Sequence, residues 1–420
     1  MRVLNTETLD FREFPDLPDK PYAILSHRWR STEVTYKEYR KSRDSLQHLP
    51  GYKKVVDFCC IARQRGFRYA WVDTCCIDKR SSAELSEAIN SMYRWYKESA
   101  ECYVYLEDYR PWNPSSFAAC EWFKRGWTLQ ELLAPRHCVF FTADWHVIGH
   151  KHFYLSSGCD CEGSNSNNSD NESSKPASSD HGPHLLEQLV AATKIPGSML
   201  TGITEISTAS VARRMSWASH RSTTRIEDRA YSLLGIFDIN MPLLYGEGAK
   251  AFRRLQEEII RTDNDPSIFA FGRDQLLSVE ESMYERSQPM YPRKVIDAVL
   301  AESPDYFWQG GDVIMSKGLF EEPYVITHMG LRVVTRSYKA LRPSWLEPSG
   351  ICYAISIANI HRPNSGSEPR GQLYLVVQGV SSWQEGLYVR VGVESCTTSP
   401  PRLNGLDWEP EGSRLFYIKM

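Results

Sequence analysis

Tyr22-Ala23-Ile24-Leu25-Ser26-His27-Arg28-Trp29 is the stretch that decides how the first part of this 420-residue chain is built. A short apolar run ends abruptly in polar and aromatic residues, as in a buried strand that delivers functional groups at its carboxyl end. Three later runs have the same form. Residues 69–77 are apolar and close on Asp78-Lys79-Arg80, residues 102–106 end in Glu107-Asp108, and residues 137–141 form the fourth. Helical patterns stand between them. Val55, Val56, Cys59 and Ala62 recur at helical spacing over residues 52–64, with Gly66 as a stop. Ser81 and Glu84 are spaced as a capping box ahead of Leu85, Ile89, Met92, Tyr93 and Tyr96. Strand, helix, strand, helix, strand predicts an α/β fold with an open parallel sheet and right-handed crossovers. Ligands of such sheets bind beyond the carboxyl ends of the strands. Those ends carry Ser26, His27, Arg28, Asp73, Asp78, Glu107 and Asp108.

A second stretch carries the chemistry. Residues 125–133 read Arg-Gly-Trp-Thr-Leu-Gln-Glu-Leu-Leu, with Lys124 just before them. Glu131 thus follows an aromatic, Trp127, and two cations. Two readings stand. A carboxylate beside an aromatic wall has its charge tuned by its surroundings. Alternatively, Thr128 and Glu131 form a capping box and serve only to start a helix.

Residues 156–183 are rich in Ser, Asn, Asp and Gly and nearly devoid of apolar residues, so disorder is expected there. Cys159, Cys161, His181 and His184 match no ordinary zinc spacing. Helices are predicted over residues 185–193, 209–219, 224–235 and 246–261. The third opens with Thr224 and Glu227 as a capping box, and residues 268–271 read as a strand. From about residue 323 onward, short strands with Gly/Pro-rich spacers predict an antiparallel sandwich or barrel. The expected organisation is an α/β core over 1–150, a disordered insertion over 151–184, a helical extension over 185–275 and a β-rich domain over 276–420.

Composition excludes several classes. Hydrophobic residues make up 42% and charged residues 24%, as in soluble globular proteins. A net charge of −3 gives no basic excess for nucleic acid. Residues 1–7 lack the apolar core of a signal peptide, and no run is long enough to span a bilayer. The 11 cysteines are an odd number and several lie in apolar runs, which fits reduced thiols in the cytoplasm. His27 with Cys75 or Cys76 suggests a thiol nucleophile, but cysteines in apolar runs are usually inert. Asp73 and Asp78 could bind a divalent cation, though a strand-end Asp more often caps a loop. No Gly-rich triphosphate-binding loop is present.

The blocks at residues 22–29, 69–80 and 125–133 stand together with Ser216-Trp217-Ala218 and with residues 225–236, Arg-Ile-Glu-Asp-Arg-Ala-Tyr-Ser-Leu-Leu-Gly-Ile. Jointly they resemble the fungal heterokaryon-incompatibility (HET) domain family over roughly the first two-thirds of the chain. That resemblance implies an intracellular fungal protein of non-self recognition, whose activation leads to growth arrest or cell death. It also implies other HET or receptor proteins as partners, self-association on activation and a cytoplasmic location. HET domains are in turn similar to Toll/interleukin-receptor (TIR) domains. Ala23-Ile24-Leu25-Ser26 looks like the opening TIR strand, and Trp127-Thr128-Leu129-Gln130-Glu131-Leu132 resembles the TIR pattern Trp-Cys-x-x-Glu-Leu. Thr128 stands where that pattern has Cys, and no Gly follows Ser26-His27-Arg28.

The TIR resemblance implies Glu131 as the catalytic residue of an NAD glycohydrolase, with NAD as substrate and no cofactor or metal. Ser26, His27, Arg28, Trp29, Asp73 and Trp127 are the expected binding residues. Cleavage of the nicotinamide–ribose bond passes through an oxocarbenium-like state, which a carboxylate stabilises more than it does the ground state. Arg28 is expected on the pyrophosphate, and Trp29 or Trp127 on a planar ring. The alternative is a non-catalytic signalling module that oligomerises with other HET or receptor proteins.

Overall fold

The computed structural model describes residues 1–113, 115–152, 182–272, 299–314, 320, 322–340, 352–360, 371–379, 387–396, 402–403 and 406–418. They form two compact units. The first comprises residues 1–206, 221–224 and 231–243, and the second residues 207–220, 225–230 and 244–420.

The first unit is built on seven strands: β1 (Arg2–Asn5), β2 (Phe11–Glu13), β3 (Tyr22–His27), β4 (Tyr69–Trp71), β5 (Glu101–Leu106), β6 (His137–Thr142) and β7 (Val147–His152). Their order across the sheet is β2-β1-β4-β3-β5-β6-β7. β4, β3, β5 and β6 pair in parallel, and β1, β2 and β7 add antiparallel edges. The four parallel strands follow the flavodoxin-type order 2-1-3-4, which reverses direction at β3. All six residues of β3 are buried, as befits a central strand covered on both faces. The helices between the parallel strands include α1 (Tyr36–Lys41) and α2 (Pro50–Gln64), then α3 (Asp73–Cys76) and α4 (Ser82–Lys97), then α5 (Ser116–Ala119) and α6 (Thr128–Leu133). Trp71, Tyr96, Tyr103, Phe58, Phe140 and Trp122 are the large side chains closed off in this core.

The run at 69–77 is not one strand. β4 stops at Trp71, and the Cys76 amide donates to the Val72 carbonyl at 2.9 Å, closing the helical turn α3. Both pieces are buried, so both are apolar, and an unbroken apolar run cannot separate them. The Ser81 cap forms, accepting from the Glu84 amide at 3.3 Å. Glu84 does not cap back. Its carboxylate accepts from the Asp78 amide and from Arg2, both at 2.7 Å.

The predicted helix over 224–235 is also broken, into Asp228–Tyr231 and Leu234–Phe237. Glu227 turns to the Gly246 and Gly248 amides, at 2.8 and 3.1 Å, and closes no capping box. The turn Leu234–Phe237 lies against α4 through Gly235. A Cβ there would stand 2.1 Å from the Tyr93 Cβ. Gly235→Ala is therefore expected to cost about 1–3 kcal/mol through overpacking, read as a lowered melting temperature with the far-UV spectrum unchanged.

In the second unit the helix Lys250–Thr262 buries Phe252, Leu255, Gln256 and Ile259, the face its spacing predicts. Gln256 exchanges two hydrogen bonds with the Ala301 backbone, at 2.8 and 2.9 Å. Residues 268–271 are not a strand. The 3-10 helix Pro266–Phe269 takes their place, capped by Asp265 on the Ser267 amide at 3.0 Å. The strands that follow are β8 (Val313–Ile314), β9 (Val325–Thr327), β10 (Gly330–Ala340), β11 (Cys352–Ile360), β12 (Gly371–Gly379), β13 (Leu387–Cys396), β14 (Arg402–Leu403) and β15 (Leu406–Ile418). Pairing runs β10-β11-β12-β13-β15 and returns from β15 to β10, so the sheet closes into a barrel and is not a sandwich. Leu331, Val333, Ile355, Ile357, Phe416 and Ile418 alternate into its interior.

Of the expected insertion over 151–184, residues 153–181 lie outside the described residues, whereas 151–152 and 182–184 are described and ordered. Its described flanks are tied at the sheet edge, where the His150 amide donates to the Pro183 carbonyl and the Leu185 amide to the His150 carbonyl, each at 2.9 Å. Among the described residues no helix is long and apolar enough to cross a membrane.

Candidate active site

Strand order reverses at the carboxyl end of β3, and that end presents Ser26. α6 lies against β3 and brings Glu131 to the same point. The Ser26 hydroxyl donates to Glu131 Oε2 and accepts from the Trp122 indole N–H at 2.8 Å. Both side chains are buried, Glu131 being 7% exposed. Tyr96, whose hydroxyl donates to the Leu25 carbonyl at 3.0 Å, is a further polar neighbour of the carboxyl.

The capping-box reading of Glu131 does not hold. α6 is preceded by Trp127 in helical backbone geometry, and no side chain caps it. The Thr128 hydroxyl turns back to the Trp122 carbonyl at 2.5 Å and accepts from Arg221 at 3.0 Å. Arg221 is buried and also donates to the Arg125 carbonyl at 2.9 Å. Burial draws its pKa down only to about 10, which leaves it cationic at neutral pH. Gly126 is required beside it. Its amide donates to the Ser222 carbonyl at 2.9 Å, and a Cβ would lie 2.5 Å from Thr223 Cγ2.

Burial raises the Glu131 carboxyl to about 8, and the negative charge of Asp73 adds to the rise. The Ser26 hydrogen bond, the Arg125 charge and Tyr96 oppose it without cancelling it. A carboxyl in this state is neutral at pH 7. A further cation in the same space would favour its ionised form.

The other predicted residues separate into two groups. Asp73 opens α3, accepts from the Trp29 indole N–H at 2.8 Å and acts electrostatically on Glu131. Trp29 is 37% exposed at the mouth of the strand ends, with the Lys79 ammonium 3.1 Å from its ring centroid. His27 points away from Ser26, as alternation along a strand requires. It is buried with Nε2 3.5 Å from Glu33 Oε2, and burial together with the Lys54 charge lowers its pKa. Lys54 pairs with Glu33 at 2.5 Å. Arg28 faces Glu121 at 3.7 Å, a carboxylate that Lys124 also holds at 2.9 Å. Trp127 is half-buried, and it is Trp122 that reaches Ser26.

Sequence reasoning missed Trp122, Tyr96 and Lys79. Trp122 stands three residues before the block at 125–133, but only the turn before α6 aims its N–H at β3. Cys75 and Cys76 are both buried, and contact with Cys76 together with burial raises the Cys75 thiol, which makes Cys75 no activated nucleophile. Asp78 holds the Arg80 side chain at 2.8 Å and the Arg80 amide at 3.1 Å, the arrangement of a loop cap. Among the described residues no group of His, Cys, Asp and Glu side chains is arranged to hold a metal ion.

Strand order and site thus define an open α/β protein with a buried, proton-holding carboxyl at its topological switch point. The heterokaryon incompatibility protein (HET) family matches residues 22–114, which span β3, β4 and β5. Residues 250–332 match a domain family of unknown function, DUF8212. The vegetative incompatibility protein HET-E-1 of Podospora anserina is 42% identical over 281 residues, covering 63% of this chain and 18% of that protein. Over residues 22–114 the chain is thus similar to the HET domain. It spans about a fifth of the curated relative it matches. Ser26, Trp29, Asp73 and Lys79 lie inside the HET match, whereas Trp122 and Glu131 lie beyond its end. No solved structure matches the chain.

Proposed function

We propose that this protein acts in fungal non-self recognition, as an incompatibility effector whose first unit cleaves NAD on activation. The reaction is NAD plus water giving nicotinamide, ADP-ribose and a proton. One observation carries the reading: the Glu131 carboxyl is buried at the switch point on Ser26, with its pKa raised to about 8. A site that keeps a carboxyl dry and only partly compensated is suited to a cationic ligand. The nicotinamide of NAD is a pyridinium, and the ribose gains positive charge as the bond breaks. Both favour the ionised carboxylate, and the second does so most in the transition state. Nicotinamide departs as a neutral molecule, so no general acid is needed. Ser26, held by Trp122, fixes the carboxylate through the change. HET-E-1, by its name a vegetative incompatibility protein, supports the biological setting. Cytoplasmic location and self-association on activation belong to the same proposal.

The test is incubation of the purified protein with NAD, alone and under crowding, with nicotinamide and ADP-ribose followed by chromatography. Equal amounts of the two products are expected. Absence of both at high protein concentration under crowding would reject the enzymatic part and favour a non-catalytic module that works by assembly.

A further inference from the structure

We infer that Lys79, stacked on Trp29 at the carboxyl ends of the strands, is the phosphate-binding cation of this site. The inference rests on the NAD reading for the identity of its ligand, a dinucleotide diphosphate, but not for its chemistry.

The cations around the strand ends are mostly neutralised. Arg30 pairs with Glu107 at 2.5 Å and Arg80 with Asp78 at 2.8 Å. Arg28 and Lys124 share Glu121. Lys79 differs. Among the described residues its ammonium lies within salt-bridge distance of no carboxylate, and its contact is the Trp29 ring, 3.1 Å from the centroid. It is half-buried, so water screens it incompletely. Burial lowers its pKa; the Asp73 and Glu33 charges, beyond salt-bridge distance, oppose that only in part, and the Arg125 charge presses in the same direction as burial. Arg125 likewise has no carboxylate partner among the described residues, and it acts on Glu131 as well. Lys79 and Arg125 therefore act on each other with no carboxylate in salt-bridge contact with either among the described residues, and Arg125 also acts on Glu131. An anion that reaches Lys79 and Arg125 relieves the repulsion between them.

Trp29 makes the arrangement specific. Asp73 fixes its indole N–H at 2.8 Å, which orients the ring, and Lys79 covers one face. A ligand bound here meets a cation, an oriented aromatic ring and, at Ser26, a carboxyl. A diphosphate linking two ribosides offers matching groups in that order. Arg28 was the sequence-level choice for the pyrophosphate, and its pairing with Glu121 makes it the weaker candidate.

The experiment titrates the full chain with sodium pyrophosphate and with ADP-ribose by calorimetry, for the wild type, Lys79→Met, Lys79→Gln and Lys79→Arg. Met and Gln keep a stem that can cover Trp29, so one folded neutral variant suffices. Affinity for both ligands is expected to fall about tenfold or more in the neutral variants and to return in Lys79→Arg. Wild-type affinity should also weaken with salt. Unchanged pyrophosphate affinity in a folded neutral variant, or no binding by the wild type, overturns the inference. Nicotinamide release by the wild type with Lys79→Met unaffected would overturn it too, leaving the proposed reaction intact. Pyrophosphate binding that depends on Lys79, in a protein releasing no nicotinamide, would uphold the anion site while the NAD reaction falls.

Discussion

Glu131→Gln is expected to lower nicotinamide release by about a hundredfold or more, the range seen when one electrostatic stabiliser of a transition state is removed. The amide keeps the size of the carboxyl, and its oxygen still accepts from Ser26. What disappears is the negative charge that faces the developing oxocarbenium ion. The pH profile gives an independent check. In the free protein the carboxyl titrates at about 8, so kcat/KM should rise with pH toward that value and level off above it. Once the cationic substrate is bound, carboxylate formation is favoured, so the rise in kcat should fall at lower pH. Cell killing should be lost with turnover. A folded Glu131→Gln protein that still kills would remove Glu131 from the mechanism. A variant that loses killing, although the wild type never turns over NAD, would assign Glu131 to a binding surface.

The same substitution should make the protein more stable at high pH. Glu131 titrates at about 8 when folded, against a reference value of 4.5. The folded state therefore holds its proton more tightly than the unfolded chain. The stability linked to that proton is complete below about 4.5 and is lost as pH rises through about 8. Over this window the wild type should fall behind Glu131→Gln by about 3–5 kcal/mol, with a constant difference above it. Other titrating groups are common to both proteins and cancel in the comparison. Chemical denaturation at pH 5, 7 and 8.5 measures the difference directly. Parallel curves across this range would mean that the carboxyl is solvated, and the argument from burial would fail. A buried acid held at such a cost is the kind of local conflict expected where function, not stability, selects the residue.

Local sequence carried the parallel sheet because its central strands are buried on both faces and so read as unbroken apolar runs. It also carried their polar ends, Ser26, Asp73 and Glu107, because a strand that leaves the core must change composition there. The antiparallel edges β1, β2 and β7 were not legible. β1 and β2 are only four and three residues long, and β7 carries Gly149, His150, Lys151 and His152, so little apolar contrast marks them. The Lys250–Thr262 helix was legible from its one-sided apolar face. The helix expected over 224–235 was not, because Glu227 had a stronger use for its carboxylate in the turn at Gly246 and Gly248.

At the candidate site the division is sharper. Sequence by itself determined which residue types were available: a Ser at the end of the first parallel strand, a Glu in the block at 125–133, an Asp and a Lys after the second strand. Only the tertiary structure decided which of them meet. Thr128 and Glu131 have capping-box spacing, yet the Trp122 carbonyl and Arg221 claim the Thr128 hydroxyl, and Glu131 reaches a serine 105 positions away. His27 and Arg28, the immediate neighbours of Ser26, turn to Glu33 and Glu121 instead. The physical reason is that spacing fixes only what one helix or strand can present on a face, over a few residues. Burial and opposing charge depend on which elements the whole fold stacks together, and those two quantities set the state of Glu131 and leave Lys79 without a carboxylate.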